Sequence, residues 1–362
     1  MENLFEITSL FLKDHKAVSI EPYGCGHINS TYIVISDNGE KFILQKINTN
    51  IFKDANALMH NVKLVTNHIK KKSEELGRNK RRSTINFLHL KSGKHYAITE
   101  YGAYRMYYYI DNAFSIEKME NPNHFYYAGV AFGEFATFLN DFDASSLFET
   151  IKNFHNTASR YLDFEASVDA DVKNRAKDVQ KEIEFVRERK DFMSLFVNKL
   201  QNGELPLRVT HNDTKLNNVL FDISSETPVA VIDLDTVMPG SYLYDFGDAI
   251  RSGATHAAED EQNLDLVDFD LELYDNFARG YLGQCAESLT QEEIKMLPYA
   301  SIMLTLECGM RFLTDHLNGD TYFRIRRENH NLDRARTQFK LVAEMENNID
   351  KMRDIIMKYV NK

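Results

Sequence analysis

The sequence contains little that could hold it together through covalent bonds or anchor it in a membrane. Only three cysteines occur in 362 residues, and they are scattered. Their number and spacing therefore favour neither a disulfide framework nor a structural zinc site. No apolar run approaches the roughly 20 residues that a transmembrane helix needs. The N-terminal stretch is acidic and amphipathic rather than basic, unlike a secretory signal, so we expect a cytoplasmic protein.

The net charge of −11 is distributed unevenly along the chain. Residues 1–112 contain 16 Lys and Arg against 11 Asp and Glu, which gives +5 and leaves −16 for residues 113–362. A positive first part suits a nucleotide polyphosphate, whereas an acidic second part either attracts cations or is simply well solvated. This balance disfavours nucleic acid as the main partner. A chain of this length, without repeats or linkers, can bury one large core or two lobes.

The segment from Val209 to Asp248 alternates short apolar strands with polar loops. Its first loop, HNDTKLNN, places Asp213 five positions before Asn218, and Asp233 ends a later apolar strand. Phosphoryl transfer needs one carboxylate to orient a hydroxyl, and an amide with a second carboxylate to hold Mg²⁺ on the nucleotide phosphates. The alternative is a turn rich in Asp and Asn without a catalytic role. Such a turn would explain the residue types but not their order. We therefore predict Asp213 as the catalytic residue and Asn218 and Asp233 as metal ligands. Asp235 is either a further ligand or a residue that supports them from behind.

Several segments resemble one known superfamily. The loop and the strand IDLDT resemble the aminoglycoside phosphotransferase/choline kinase superfamily, which shares the protein-kinase fold. Segments along nearly the whole chain are similar to its N-acetylhexosamine 1-kinase branch: GHINSTYIV, ILQKINTNIFKDANALM, NDTKLNNVLFD, VIDLDTVMPG, YDFGDAIR and MRFLTDHLNGDTYFRIRRENHNLDRARTQF. The resemblance implies an α/β (α+β), two-lobed fold. A small antiparallel sheet lobe would span residues 1–112, and a larger, mainly helical lobe residues 113–362.

The resemblance also implies an activity. It implies transfer of the ATP γ-phosphate, with Mg²⁺, to the anomeric hydroxyl of an N-acetylhexosamine such as GlcNAc or GalNAc. His27, Arg311 and Tyr322 would contact the sugar. The implied partners are a nucleotide and a small sugar, without nucleic acid or membrane, and the oligomeric state is left open. Before the resemblance is considered, a helix-surface ion pair explains Arg311 equally well.

Three features of the first lobe are candidates for nucleotide contacts. The turn from Gly24 to Ser30 contains two glycines, and we call it the glycine turn. Glycines let a loop approach phosphate closely, so this turn is predicted to cover the phosphates, although a plain hairpin turn is the alternative. The next strand offers either Gln45 or Lys46 to the phosphates, because alternation places them on opposite faces, and charge favours Lys46. An aromatic strand then leaves the sheet where kinase-like folds bind adenine. The predicted nucleotide contacts are Gly24, Gly26, Asn29, Ser30, Lys46, Tyr108 and Ile110.

The remaining pattern is mostly helical. We predict helices over Tyr126 to Asn140 and Asp171 to Asn202, and a mainly helical region from Asp268 to Tyr359 with breaks at glycines. Between the last two of these regions, a further helix is predicted to begin at Asp245. This residue either caps the helix or binds the backbone of the loop that carries Asp213. The glycine breaks are Gly280, Gly283 and Gly319.

Three alternative functions remain open. A kinase for a cationic acceptor, such as an aminoglycoside or choline, suits the acidic second lobe. The second alternative is a nucleotide-binding regulator without strong catalytic activity. In kinase-like folds the helix after the lysine strand offers a glutamate that pairs with the lysine, and this sequence has no glutamate between Asp54 and Glu74. The intact series Asp213, Asn218 and Asp233 argues against that alternative. A hydrolase is weaker still, because the GxSxG and HExxH motifs are missing.

Overall fold

The first lobe is built around a five-stranded antiparallel sheet. The computed structural model describes residues 3–24, 28–119 and 121–360. A short helix, α1, precedes the sheet, and helices α2 and α3 follow its third strand. The elements are α1 (Leu4–Ser9), β1 (Ala17–Pro22), β2 (Ser30–Ser36), β3 (Lys41–Ile47), α2 (Ala55–Glu75), α3 (Lys80–Ser83), β4 (Tyr96–Thr99) and β5 (Gly102–Tyr108). The strand order is β1-β2-β3-β5-β4.

Strand alternation gives this sheet two different faces. On the outer face, apolar side chains such as Leu44 and Met106 pack with Phe11, just after α1. On the inner face the sheet packs on α2, whose Val62 and Val65 are fully buried. Successive residues of β3 and β5 therefore point either to the outer core or toward α2 and the second lobe.

The second lobe is mainly helical and contains two small sheets. One pairs β10 with β7, and the other has the order β6-β8-β9. Its strands are β6 (Ala113–Ser115), β7 (Arg208–Thr210), β8 (Val219–Asp222), β9 (Pro228–Val231) and β10 (Met238–Gly240). Its helices are α4 (Pro122–Phe138), α5 (Thr157–Ala170), α6 (Gln180–Arg187), α7 (Leu195–Gln201), α8 (Tyr242–Gly253), α9 (Leu271–Cys285), α10 (Gln291–Leu317), α11 (His330–Asn347) and α12 (Ile349–Val360). The predicted fold, a small antiparallel sheet lobe with a larger helical lobe, is confirmed.

The long helix predicted over Asp171 to Asn202 is wrong. Asp171 instead ends α5 in a left-handed conformation, with φ of 33°, and the rest of the segment forms two short α-helices joined by 3₁₀ turns. The apolar stripe was real, since Val179, Ile183 and Val186 are buried. Helical spacing thus identified the buried face but not the turns that interrupt it.

Gly280 is also not a helix break. It lies inside α9 at the contact with α4, where an added Cβ would come within 2.2 Å of the carbonyl oxygen of Tyr126. Gly283 lies inside the same helix with open space beside it. Only Gly319 behaves as predicted, with φ of +92° just after α10. The glycine in α9 thus permits close helix packing rather than a turn.

Two further observations bear on the expectations from composition. Cys285 and Cys308 form no disulfide. None of the helices in the described ranges is long and apolar enough to cross a membrane.

Candidate active site

The loop between β7 and β8 is held by buried carboxylates of α8. Asp245 accepts hydrogen bonds from the backbone N–H groups of His211 at 2.8 Å and Asn212 at 2.7 Å. Burial raises the pKa of Asp245 to about 6, although these two donors oppose the shift. Ser241, not Asp245, caps α8. Of the two predicted roles for Asp245, the structure therefore shows binding of the loop backbone.

A second carboxylate fixes the next residue of the loop. Asp248 accepts from the backbone N–H of Thr214 at 2.9 Å and forms an ion pair with Arg251 at 2.9 Å. The Thr214 hydroxyl donates to the backbone oxygen of Asp245 at 2.6 Å. The backbone N–H groups of residues 211, 212 and 214 are thus all tied to α8. This arrangement fixes the direction of the intervening Asp213.

The Asp213 side chain is 28% exposed and has two polar neighbours. The Asn218 amide donates to Asp213 Oδ2 at 3.0 Å and to the Asp213 backbone oxygen at 2.8 Å. Lys215 Nζ lies 2.5 Å from Asp213 Oδ1. Burial lowers the pKa of Lys215, but the charges of Asp213 and Asp248 outweigh this effect and raise it to about 12. Lys215 is therefore a fixed positive charge beside the candidate catalytic carboxylate.

Asp233 follows β9 in a left-handed conformation, with φ of 58°. Burial within the cleft and the nearby carboxylates of Asp235 and Asp213 raise its pKa to about 7. Such crowding of carboxylates favours a bound cation, and oxygen ligands suit Mg²⁺. Because the Asn218 amide nitrogen donates to Asp213, its Oδ1 is the atom that can ligate a metal ion. These residues therefore fit a divalent cation.

Asp235 joins the two lobes. Its Oδ1 lies 2.5 Å from Nη1 of Arg105 on β5, and its Oδ2 accepts from the Asn29 amide at 2.6 Å. Both partners belong to the first lobe, whereas Asp235 lies two residues after Asp233. The segment after β9, which carries Asp233 and Asp235, is therefore bound directly to β5 and to Asn29 of the first lobe.

The structure places Gln45, rather than the predicted Lys46, on the cleft side of β3. Gln45 Oε1 accepts from Arg105 Nε at 3.0 Å and Nη2 at 2.7 Å. Lys46 points to the opposite face, where its ammonium lies over the ring of Tyr104, a residue of the outer core. The preference for Lys46 rested on its charge, whereas the pairing of the strands directs Gln45 to the cleft side. The cation on the cleft face is Arg105.

The other predicted nucleotide contacts divide between the two faces. Gly24 has φ of +75° and open space beside it, and Ser30 begins β2. Ile110 is buried against Ala113 and Ala230. Tyr108 instead packs on Phe42 at 5.3 Å between ring centroids on the outer side, away from the face of β5 that carries Arg105. Gly26 and His27 lie outside the described residues.

Tyr107, next to Tyr108, is the tyrosine that turns toward the cleft. Its ring packs against Phe87. Burial raises the pKa of its hydroxyl above the ordinary value, with further contributions from the charges of Asp233 and Asp235. The sequence run of three tyrosines did not reveal which one faces inward, because the answer depends on the register of β5 with β3.

A pocket of about 200 Å³ lies where α5 meets α10 and the segment after it, and both predicted sugar contacts of the second lobe line it. Arg311 of α10 is surrounded by three rings, with its guanidinium carbon 5.8 Å from Phe154, 5.9 Å from Tyr322 and 5.5 Å from Phe323. Tyr322 is 64% exposed. The structure therefore brings Arg311 and Tyr322 together at one pocket.

Arg160 of α5 adds a second positive charge to this pocket. Burial and the nearby charge of Arg311 both lower its pKa, and its Nε is buried with no protein partner in the described ranges. Asp315 lines the same pocket, but its oxygens accept from the backbone N–H groups of residues 321, 322 and 323 and from Asn331. That carboxylate is occupied by its own loop. A second carboxylate, the exposed Asp163, also lines the pocket, so two arginines and one uncommitted carboxylate set its charge.

The sequence analysis missed three residues of this site. Lys215 lies inside the catalytic motif and could have been noticed by its distance of two residues from Asp213. Arg105 is a lone cation within an apolar strand, a pattern that indicates a buried partner. Arg160 had no detectable signal, because its segment was not predicted to lie near α10.

Comparisons with known proteins agree with this geometry. The sequence model of the phosphotransferase enzyme family, APH, matches residues 95–281. An aminoglycoside phosphotransferase from Alicyclobacillus acidocaldarius superposes with a TM-score of 0.65 at 12% identity, over 97% of this chain and 95% of that chain. An amicoumacin kinase in complex with AMP-PNP, Ca²⁺ and Ami gives 0.61 at 12%, over 95% and 92%. A choline kinase from Streptococcus pneumoniae gives 0.52 at 12%, over 94% and 97%.

Proposed function

The chain belongs to the phosphotransferase enzyme family and is a small-molecule phosphotransferase, and from this premise we propose that it is an N-acetylhexosamine 1-kinase. It would transfer the γ-phosphate of ATP to the anomeric hydroxyl of GlcNAc or GalNAc. Residues 1–112 would bind the nucleotide, and residues 113–362 would supply the catalytic loop and the acceptor pocket.

Asp213 is proposed to orient the acceptor hydroxyl and to accept its proton. Its carboxylate is directed by the Asn218 amide, and the three loop contacts to α8 fix the backbone on both sides. Lys215, at 2.5 Å from the carboxylate, is placed to neutralise charge on the transferred phosphoryl group. Holding the reactants in line in this way is the main contribution that a protein makes to phosphoryl transfer.

Asn218 and Asp233 are proposed to hold Mg²⁺, which supplies charge neutralisation on the nucleotide phosphates. Asp235 then acts through its contacts to Arg105 and Asn29, which keep the loop after β9 against the first lobe. Gly24 and the end of the glycine turn would cover the phosphates, and Ile110 would lie against the base. Arg105 gives this side of the cleft the positive charge expected from Lys46.

The observation that carries the choice of acceptor is the pair of arginines in the α5–α10 pocket. Arg160 and Arg311 form no ion pair within the described residues, and Asp315 is bound by its own loop. A cationic aminoglycoside or choline would meet two positive charges there, against the single uncommitted carboxylate of Asp163. A neutral sugar offers hydroxyl and acetyl oxygens, and a guanidinium can donate to both. The pocket therefore favours a neutral, oxygen-rich acceptor.

The test is an acceptor panel with ATP and Mg²⁺, followed by phosphorus NMR of the product. With GlcNAc or GalNAc we expect ADP release and an anomeric phosphate coupled to the sugar H1. A 6-phosphate would contradict the 1-kinase assignment. Turnover of aminoglycosides or choline alone would show that the arginines do not select the acceptor, and no turnover with any acceptor would favour a nucleotide-binding regulator.

A further inference from the structure

A second polar pocket, of about 170 Å³, lies between α2 and the segment that leads into β4. We call it the α2 pocket. One of its lining residues, Phe87, also packs against Tyr107 and Arg105 of the candidate active site. Its wall on α2 is formed by residues spaced three and four apart, which lie on one stripe of a helix. The lining residues are Lys63, Thr66, Asn67, Lys70, Phe87, His89, Gly93 and His95.

The charge of the α2 pocket is uncompensated. None of its eight lining residues is acidic, and Lys63 and Lys70 form no ion pair with any described residue. Neighbouring lysines of the same helix behave differently, because Lys71 pairs with Glu75 at 4.0 Å and Lys72 pairs with Asp141 at 2.5 Å. The stripe that faces the pocket is therefore distinguished from the rest of α2 by its lack of counter-charges.

His95 provides an independent observation. Both of its ring nitrogens are buried and have no hydrogen-bond partner in the described part of the chain, and its ring lies 4.1 Å from that of His89. Burial, followed by the charges of His89, Lys63 and Lys70, lowers its pKa to about 4. Buried polar groups in native proteins are almost always paired, so two unpaired nitrogens beside two unpaired lysines indicate a missing acceptor.

We propose that the α2 pocket binds a phosphate group, either as inorganic phosphate or as the phosphoryl group of a small metabolite. Phosphate supplies several strong acceptor oxygens, which can receive donors from Lys63, Lys70 and the Asn67 amide. His95 completes the set by donating from one ring nitrogen. The absence of a lining carboxylate leaves these donors without an internal competitor.

The site has a route to the catalytic lobe through α2. On the same helix, the Asn61 amide donates to the backbone oxygens of Val237 at 2.9 Å and Phe148 at 2.7 Å. Val237 lies two residues after Asp235. A phosphate that ties α2 to the segment before β4 therefore steadies the helix that contacts the loop after β9.

The experiment is a titration of the full-length protein with inorganic phosphate, followed through the imidazole NMR signals of His89 and His95. We expect a saturable shift of the His95 signals, and slower hydrogen exchange of the α2 amides. Lys63→Gln and Lys70→Gln should each weaken phosphate binding about tenfold or more, because each removes a charge-assisted hydrogen bond. The matched control, Lys71→Gln, changes a lysine of the same helix that already has a partner and should bind like the parent.

Phosphate bound in the active-site cleft would not contact Lys63 or Lys70, so the variants of these two lysines distinguish it from phosphate in the α2 pocket. Titrations with N-acetylglucosamine 1-phosphate and glucose 6-phosphate distinguish a metabolite from the free ion. Tighter binding of a sugar phosphate identifies a metabolite, and equal or weaker binding identifies inorganic phosphate. The proposal is overturned if the His95 signals do not move, or if the Lys63 and Lys70 variants respond like the parent. This test is independent of the acceptor chemistry.

Discussion

Arg105 and Asp235 form a buried ion pair between the two lobes, with Nη1 and Oδ1 2.5 Å apart and side chains only 2% and 4% exposed. The charge of Asp235 raises the pKa of Arg105, although burial opposes the shift. Gln45 accepts two further hydrogen bonds from the same guanidinium. The position of β3 that faces the cleft thus supplies an amide that orients an arginine.

Arg105→Met should therefore be far more damaging than Lys46→Met. It leaves Asp235 buried without its cation, a change that costs about 3–5 kcal/mol of unfolding free energy. It should also weaken ADP binding and raise KM for ATP, because the loop that carries Asp233 loses its anchor on β5. Denaturant unfolding and ADP titration measure the two effects. Arg105→Lys keeps the charge but cannot contact Gln45 and Asp235 through several nitrogens at once, so its losses of stability and of ATP binding should be intermediate. A larger ATP effect in Lys46→Met would contradict the assignment.

Asp213→Asn should preserve the fold and ADP affinity while lowering kcat by about a hundredfold to ten-thousandfold, the usual range for loss of a general base. The amide is nearly isosteric but cannot accept the proton of the acceptor hydroxyl. Steady-state kinetics on a variant with a parental unfolding curve would check this expectation. A folded variant that keeps the parental kcat would show that another group accepts the proton.

Removal of divalent cations should abolish turnover. Excess EDTA is expected to stop ADP release, and Mg²⁺ or Mn²⁺ should restore it, because Asn218 and Asp233 supply only part of an octahedral oxygen shell. Asp233→Asn should weaken the binding of Mn²⁺ measured by electron paramagnetic resonance. Full activity in EDTA, or unchanged Mn²⁺ binding in this variant, would contradict the metal assignment.

Substitutions in the α5–α10 pocket should affect KM for the sugar and KM for ATP differently. Arg311→Ala and Arg160→Ala should each raise KM for the sugar much more than KM for ATP, because they remove binding groups that are remote from the nucleotide. Arg279→Ala serves as a control, since that arginine lies over Tyr126 on a different surface. Equal increases in both KM values would indicate a general structural defect instead of acceptor recognition.

His95 should contribute to acid destabilisation. Its pKa lies near 4 in the folded protein, against an ordinary value of 6.5, and the charged groups that face it are Lys63, Lys70 and His89. As pH falls from 6.5 toward 4, the unfolded chain takes up a proton before the folded protein does, so stability is lost in that window. The slope of unfolding free energy against pH should therefore be smaller in His95→Gln. An unchanged slope would show that His95 is protonated normally when folded.

The two-lobed fold and the clustering of Asp213, Asn218 and Asp233 could be predicted because both depend on local order along the chain. Asp213, Asn218 and Asp233 follow one another in a fixed strand and loop sequence. The residues that the structure orients differently from the prediction are those whose direction depends on pairing with a distant strand. Lys46 and Tyr108 were assigned by residue type, whereas the register of β3 with β5 decides that Gln45, Arg105 and Tyr107 face the cleft.

Gly247 of α8 is a packing residue whose substitution should reduce activity as strongly as substitution of an active-site residue. A Cβ at this position would lie 2.4 Å from the backbone oxygen of Ala300 on α10, so any side chain would push the two helices apart. Its neighbours Asp245 and Asp248 hold the backbone of the catalytic loop. In a deep mutational scan scored by growth, position 247 would therefore resemble an active-site residue, although its atoms would never meet either substrate.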